Sequence, residues 1–161
     1  MLAAIIDKIR LDANCVVYAP AKLPSVLEKF AIPDDVMEFY RLCGGMEIYC
    51  KSSLGFRIMP ADKVMPVNPL IIGEMYEEDI SSNWFAIAQD GNGNYISIDF
   101  SRGTKNGFCY DSAIDRHGLA GDCAIVAKCF TDLLTNLYAS KGQSIYWTEP
   151  DFQYLGDAYD E

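Results

Sequence analysis

The chain has 161 residues, of which half are hydrophobic and 22% are charged, a balance that suits one globular domain with a core of its own. Its formal charge of −10 argues against binding to nucleic acid, because affinity for phosphates begins with cations and no cluster of Lys or Arg is present. An acidic surface can instead steer a basic protein partner, although the same charge also serves solubility.

The start of the chain and its cysteines both favour a cytoplasmic protein. Residues 1–8 lack a basic stretch followed by an apolar run, so we expect no signal peptide. No apolar run approaches the roughly 18 residues of a membrane span. The six cysteines include no CxxC pair, which favours free, mostly buried thiols in a reducing compartment. We expect a single domain over residues 1–161, with no cofactor and no membrane contact.

Helical patterns occupy the first third of the chain. Apolar residues at helical spacing predict an amphipathic helix over residues 2–9, and a short helix is expected around residues 26–30. Pro33 suits a first helical position, Asp34 and Asp35 complement the helix dipole, and Gly44-Gly45 supplies the stop. These signals predict a second helix that packs against the core.

After the glycines the pattern becomes that of short strands. Strands are expected at residues 47–50, 56–58, 84–88, 95–100 and 108–110. The sequence Asp90-Gly91-Asn92-Gly93 supplies the positive φ angles of a tight hairpin turn. In the strand that follows, alternation puts Ile96 and Ile98 on one face and Ser97 on the other.

A last helix is predicted near the end of the chain. Asp122 is expected to cap it, Val126, Phe130 and Leu137 repeat at helical spacing, and Gly142 ends it. Residues 149–161 form an acidic extension without Lys or Arg, although its aromatic residues suggest that part of it packs back. Helices, then strands, then a helix, without βαβ alternation, predict an α+β fold with a mainly antiparallel sheet.

A calcium loop is suggested only weakly by the hairpin. Asp90, Asn92 and Asn94 occupy its first three ligand positions, but Tyr95 stands where the loop needs Gly and Ser101 where it needs Glu. We favour the hairpin turn and predict no metal ligands.

A catalytic site would depend on His117, the only histidine in the chain. A Cys–His–Asp triad of a small hydrolase or transferase is conceivable, and Cys123 lies near the expected start of the last helix, where its pKa would fall. We favour a small buried cysteine at that position and predict no catalytic residue.

An ordered set of motifs resembles the SUKH superfamily of Smi/Knr-like proteins. The set covers about residues 20–140 and comprises Ile32–Asp35 leading into Phe39, Gly44-Gly45, the Trp84 strand, Asp90–Asn94 followed by Ile98-Asp99, and Cys129–Leu134. The resemblance implies an α+β fold with a bent antiparallel sheet surrounded by helices. It also implies structural roles for the matching residues Pro33, Gly45, Trp84, Gly93 and Asp99.

The resemblance also implies a function. Many bacterial members look like immunity proteins, which bind a secreted polymorphic or contact-dependent toxin stoichiometrically, whereas some fungal members are intracellular regulators. The family carries no shared catalytic motif. A nuclease-type toxin with a basic cleft would favour an acidic partner. We therefore predict contacts from Glu74, Glu77, Glu78 and Asp79, with the acids from Glu149 onwards as further candidates.

Overall fold

Seven strands form one antiparallel sheet in which each strand pairs with its neighbours in the chain. The computed structural model describes all residues from 1 to 161. The strands are β1 Cys15–Val17, β2 Met46–Ile48, β3 Phe56–Ile58, β4 Trp84–Asp90, β5 Tyr95–Asp99, β6 Cys109–Ser112 and β7 Ile125–Ala127. The register shifts between Ala86 and Ala88 and again between Cys109 and Tyr110. Such irregularities bend a sheet.

Four α-helices accompany the sheet. They are α1 Leu2–Arg10, α2 Asp34–Leu42, α3 Val67–Ile71 and α4 Phe130–Ala139. Short 3₁₀ helices cover Ser25–Lys29, Ala61–Lys63, Ile80–Asn83 and Tyr146–Thr148. The architecture confirms the predicted α+β class. No helix has the length and apolar character needed to cross a membrane.

One face of the sheet is buried beneath α1, α2 and α4, which also contact one another. Phe39 of α2 and Phe130 of α4 are fully buried, and their rings meet edge to face with centroids 4.8 Å apart. The Tyr40 hydroxyl donates to the Met59 carbonyl at 2.7 Å, which ties α2 to the residue after β3. The Phe39–Phe130 contact holds α2 against α4, and the Tyr40 hydrogen bond holds α2 over the sheet.

The opposite face is covered over β4–β7 only. There Trp84 contacts Tyr110, His117 and Tyr159, with ring centroids 4.5, 5.7 and 5.8 Å away. Across β2 and β3 the same face is open, and Glu47 and Arg57 lie opposite each other in register. The cover consists of α3, the loops before β4 and after β6, and the end of the chain.

The last helix differs from the prediction. Residues 125–127 form β7, and α4 begins at Phe130, where the Cys129 sulfur accepts a hydrogen bond from the Asp132 amide. Asp122 therefore does not cap a helix. Residues Ile125–Ala127 are all buried, so they carry no polar alternation that would reveal a strand.

Two of the residues named by the family resemblance are glycines at positive φ. Gly45, at φ 121°, lies so close to the Met59 carbonyl that a Cβ atom would be 2.8 Å from its oxygen. Gly93, at φ 84°, closes the β4–β5 turn. Both positions favour glycine, the first for space as well as for backbone conformation.

The other three of those residues have well-defined surroundings. Pro33 immediately precedes α2, and Trp84 is fully buried at the start of β4. Asp99 accepts hydrogen bonds from the Tyr110 hydroxyl at 2.9 Å and from the Ser101 amide at 2.8 Å. A structural role for these residues therefore remains our prediction, supported by their burial and bonding.

Part of the acidic extension packs against the rest of the chain. Asp157 is buried, and its carboxylate accepts hydrogen bonds from the amides of Gly121, Cys123 and Tyr159 at 2.8–3.1 Å. Ala158 is also buried, and its carbonyl accepts from Lys105. The acids that stay exposed are Glu149, Asp151, Asp160 and Glu161.

Candidate protein-binding site

Residues 70–80, here called the acidic loop, combine negative charge with exposed apolar side chains. The loop starts at the end of α3 and reaches the 3₁₀ helix before β4. Glu74, Glu77 and Glu78 are exposed, as the sequence pattern led us to expect for partner contacts. Between them Met75 and Tyr76 are 37% and 45% exposed. Exposed apolar side chains rimmed by polar residues mark interaction surfaces.

Asp79 differs from the three glutamates. It is half-buried and accepts hydrogen bonds from the Ser81 amide at 3.0 Å and from the Tyr159 hydroxyl at 2.9 Å. Burial by itself would raise the pKa of Asp79, but these hydrogen bonds outweigh it and hold the pKa below its ordinary value. Asp79 therefore anchors the loop to the end of the chain through Oδ2, which accepts both hydrogen bonds.

A second loop, residues 113–122, follows β6. Ile114 and Leu119 are 67% and 51% exposed, and Asp115 and Asp122 are exposed as well. We call the acidic loop and the 113–122 loop together the loop face. Its single cation, Arg116, donates two hydrogen bonds to Asp111, at 3.2 and 2.9 Å.

A chain of buried hydrogen bonds connects the two loops. Its members are Ser97, Ser112, His117, Asn68 and Ser81, all of them buried. The Ser97 and Ser112 hydroxyl oxygens are 2.7 Å apart, and Ser112 Oγ is 3.0 Å from His117 Nδ1. On the other side of the ring, His117 Nε2 is 2.5 Å from Asn68 Oδ1, and Asn68 Nδ2 is 3.0 Å from Ser81 Oγ. The chain fixes both ends of the acidic loop to β5, β6 and the second loop.

The bonding pattern also fixes the proton positions in this chain. Asn68 Nδ2 donates to Ser81, so Asn68 Oδ1 faces His117 and can only accept. His117 Nε2 therefore carries a proton, and in the neutral ring Nδ1 accepts from the Ser112 hydroxyl. Burial lowers the pKa of His117, against an opposing effect of Asp79. Neutral imidazole thus satisfies every bond of the chain.

The structure does not bring together a catalytic triad. The ring nitrogens of His117 bond to Ser112 and Asn68, and neither bonds to a thiol or a carboxylate. Burial raises the pKa of Cys123 to about 11, and its thiol donates to the Arg116 carbonyl. The expected lowering of this pKa by a helix start is wrong, because no helix begins there. Burial also raises the pKa of the other five thiols.

The hairpin motif forms a turn. One oxygen of Asp90 accepts from the amides of Asn92 and Asn94 at 2.8 and 3.0 Å, and the other accepts from the Asn94 side chain at 3.1 Å. Hydrogen bonds within the turn thus account for the Asp90 carboxylate and the Asn94 side-chain nitrogen, and Asn94 Oδ1 accepts from the Ile114 amide. No group of three or more His, Cys, Asp or Glu side chains is placed to hold a metal ion.

Two large clefts of the molecule lie outside the loop face. One, of about 630 Å³, crosses the open part of the sheet, where the Tyr18 hydroxyl donates to Glu47 and accepts from Arg57. The other, of about 930 Å³, runs between residues 21–32 and α2 and is half apolar. Lys22 and Arg41 line it together with Glu28 and Glu38, so its charges are mixed.

The sequence pattern identified the glutamates but missed the residues that hold them. Asn68, Ser81 and Ser112 carry no motif, and they come from separate parts of the chain. His117 was noticeable only as the single histidine. A polar residue within an otherwise apolar stretch, such as Ser97 between Ile96 and Ile98, was the one local signal of a buried polar chain.

Comparison with known proteins agrees with the architecture. The sequence model of the SMI1/KNR4 family (SUKH-1) matches residues 22–136. Immunity protein YokJ of Bacillus subtilis (strain 168) is 41% identical over 156 residues, which cover 97% of this chain and 94% of that protein. The similarity therefore extends beyond the family region into the acidic extension. The chain belongs to the SMI1/KNR4 (SUKH-1) family.

Proposed function

We propose that this chain is an immunity protein that neutralises a toxin by stoichiometric binding. The observation that carries the proposal is its 41% identity, over nearly the full length of both chains, to a protein named as an immunity protein. Proteins this similar over nearly their whole length share a fold. The proposal also fits the burial of Ser112, whose hydroxyl is the one bonded to His117, because a buried hydroxyl is closed to substrates.

The partner in this proposal is a toxin domain with a basic surface. Glu74, Glu77, Glu78 and Asp79 are its expected contacts. The three glutamates are exposed, Asp79 keeps one carboxylate oxygen without a partner in the chain, and no Lys or Arg lies in the acidic loop. Opposite potentials raise the rate of encounter and select against partners of the same charge. Binding rather than turnover would protect the cell, and the protein would act in the cytoplasm.

An intracellular regulatory or adaptor role on the same fold is the alternative. The family resemblance carries it, because some fungal members regulate other proteins and the same loops could bind such a partner. A pull-down that recovers a housekeeping protein, without rescue from any toxin, would favour this alternative.

Co-expression tests the proposal. The toxin domain encoded beside this gene is induced in a host with the chain or with an empty vector, and growth is followed. We expect the chain to restore growth and to form a 1:1 complex with the purified toxin domain, measured by size-exclusion chromatography with light scattering. Continued growth arrest together with separate elution of the two proteins would reject the proposal.

A further inference from the structure

We infer that apolar side chains of the loop face form the centre of the docking site, and that the partner presents an apolar patch rimmed by Lys or Arg. That the partner is a toxin domain rests on the proposed function. The free energy of binding would then come mainly from apolar residues, which the charge pattern of the sequence did not indicate. The residues at this centre are Met75, Tyr76, Ile80, Ile114 and Leu119.

The distribution of exposed apolar side chains is uneven. Thirteen large hydrophobic residues of the chain are exposed, and seven of them fall in the two loops of the loop face. They are Leu70, Ile72, Met75, Tyr76, Ile80, Ile114 and Leu119. Single exposed hydrophobics are ordinary, but a concentration of them rimmed by polar residues marks an interaction surface.

The two loops behave as one surface because they share an anchor. Asn68 and Ser81 bracket the acidic loop, and the bond between their side chains closes its base. His117 of the second loop bonds to the same Asn68 side chain at 2.5 Å. Trp84 lies against both His117 and Tyr159, the residue that bonds to Asp79. A partner would thus meet a surface that is already ordered, which reduces the entropy cost of binding.

The charges around this surface define the chemistry of the occupant. The exposed acids of the two loops are Glu74, Glu77, Glu78, Asp115 and Asp122. Arg116, the only cation there, pairs with Asp111 and Asp115. A partner with cations around an apolar patch would complement this arrangement. The 930 Å³ cleft beside α2 does not select a partner in this way, because both signs of charge line it.

The two kinds of side chain are expected to contribute to different rate constants. Carboxylates at a rim act mainly on the association rate and on its dependence on salt. Buried aromatic and aliphatic anchors at the centre act mainly on the dissociation rate. A kinetic measurement therefore separates this inference from a purely electrostatic interface.

The test compares two double variants by surface plasmon resonance on the toxin domain used for growth rescue. Met75→Ala with Leu119→Ala removes one anchor from each loop. Met37→Ala with Leu11→Ala is the matched control, because these two side chains are also exposed but lie on α2 and at the end of α1. We expect the first pair to raise the dissociation rate about tenfold or more and the control pair to leave it within about twofold. Equal dissociation rates in the two double variants would overturn the inference.

A second measurement does not need the toxin. A synthetic 14-residue peptide of leucine and lysine, with the leucines on one helical face, carries the chemistry assigned to the partner. When the peptide is added to ¹⁵N-labelled wild-type protein, we expect the changes in the amide chemical shifts of the protein to map to residues 70–80 and 113–122. We expect these changes to be smaller in the Met75/Leu119 double variant. Shifts centred on residues 21–41 would overturn the inference. If no toxin binds the wild-type chain, the proposed function fails and this peptide experiment still decides the docking site.

Discussion

His117 Nε2 lies 2.5 Å from Asn68 Oδ1, and this single bond joins the loop after β6 to the helix that precedes the acidic loop. Because Asn68 also donates to Ser81, one buried amide holds three segments that are distant in sequence. The position of the loop face therefore depends on a polar group in the interior, and several measurable consequences follow for stability and binding.

Asn68→Ala should destabilise the domain. The change leaves His117 Nε2 and Ser81 Oγ buried without partners, and an unsatisfied buried group costs about 1–3 kcal/mol. Urea denaturation should show this loss in the free energy of unfolding. Asn92→Ala, at an exposed side chain in the hairpin, is the control and should cost little. Equal stability of Asn68→Ala and wild type would contradict the buried chain.

His117 should make stability depend on pH in the mildly acidic range. Its pKa is lowered in the folded state by burial, so the unfolded chain, with a pKa of 6.5, takes up the proton first as the pH falls. The contribution of neutral His117 is therefore complete above the unfolded value and is lost as the pH falls from there towards the folded pKa.

Urea denaturation at about pH 7.5 and about pH 5.5 checks this expectation. Wild type should be less stable at the lower pH, and His117→Gln should show a smaller difference. Asp79 does not confound the comparison, because its lowered pKa places its own loss of stability below its ordinary value of 3.8. An identical pH dependence in the two proteins would refute the role of His117.

Phe130→Ala should be among the most damaging core substitutions. The ring is fully buried and meets Phe39 edge to face, and truncating such a side chain costs about 3–5 kcal/mol. Chemical denaturation measures the loss. Tyr154→Ala, at a side chain that is largely exposed, serves as the control. A negligible loss for Phe130→Ala would mean that α4 is misplaced.

Asp157→Asn tests whether the end of the chain belongs to the fold. The carboxylate accepts three backbone amides, and an asparagine side chain would place a donor against donors. A hydrogen bond to a charged group contributes about 1.5–3 kcal/mol to stability. We therefore expect Asp157→Asn to lower the free energy of unfolding by at least about 1.5 kcal/mol. Asp151→Asn, at an exposed acid, should be neutral. If both variants match wild type, the extension is not part of the cooperative unit.

The three glutamates of the acidic loop should control the rate of encounter with the toxin domain. Replacing Glu74, Glu77 and Glu78 together by glutamine is expected to lower the association rate several-fold at low salt and to weaken its salt dependence. Stopped-flow measurements at two ionic strengths provide the test. The control variant replaces Asp7 by asparagine and Glu28 and Glu38 by glutamine. It removes the same number of charges from the part of the surface that carries α1 and α2. Similar rates in the two triple variants would show that only net charge matters.

Much of the architecture could be predicted from local patterns. The stop at Gly44-Gly45 and the turn at Asp90–Gly93 lie where the structure has them, since both depend on short-range chemistry. The prediction failed at β7, because its three buried residues fit the helical spacing of α4 as well as a strand. It missed β1, an edge strand of three residues whose pairing with β2 is not visible in its own sequence.

The sequence by itself determined the family, the α+β class and the exposed glutamates, because motif order and charge are properties of the linear chain. Only the tertiary structure decided which acids are free to meet a partner: it buried Asp157 and bonded Asp79 to Tyr159. It also placed His117 of the 113–122 loop against Asn68, at the base of the acidic loop. The physical reason is that hydrogen bonds between Asn68, Ser81 and His117 depend on distances in space, and residues so far apart in the chain leave no periodic or local signal of their contact.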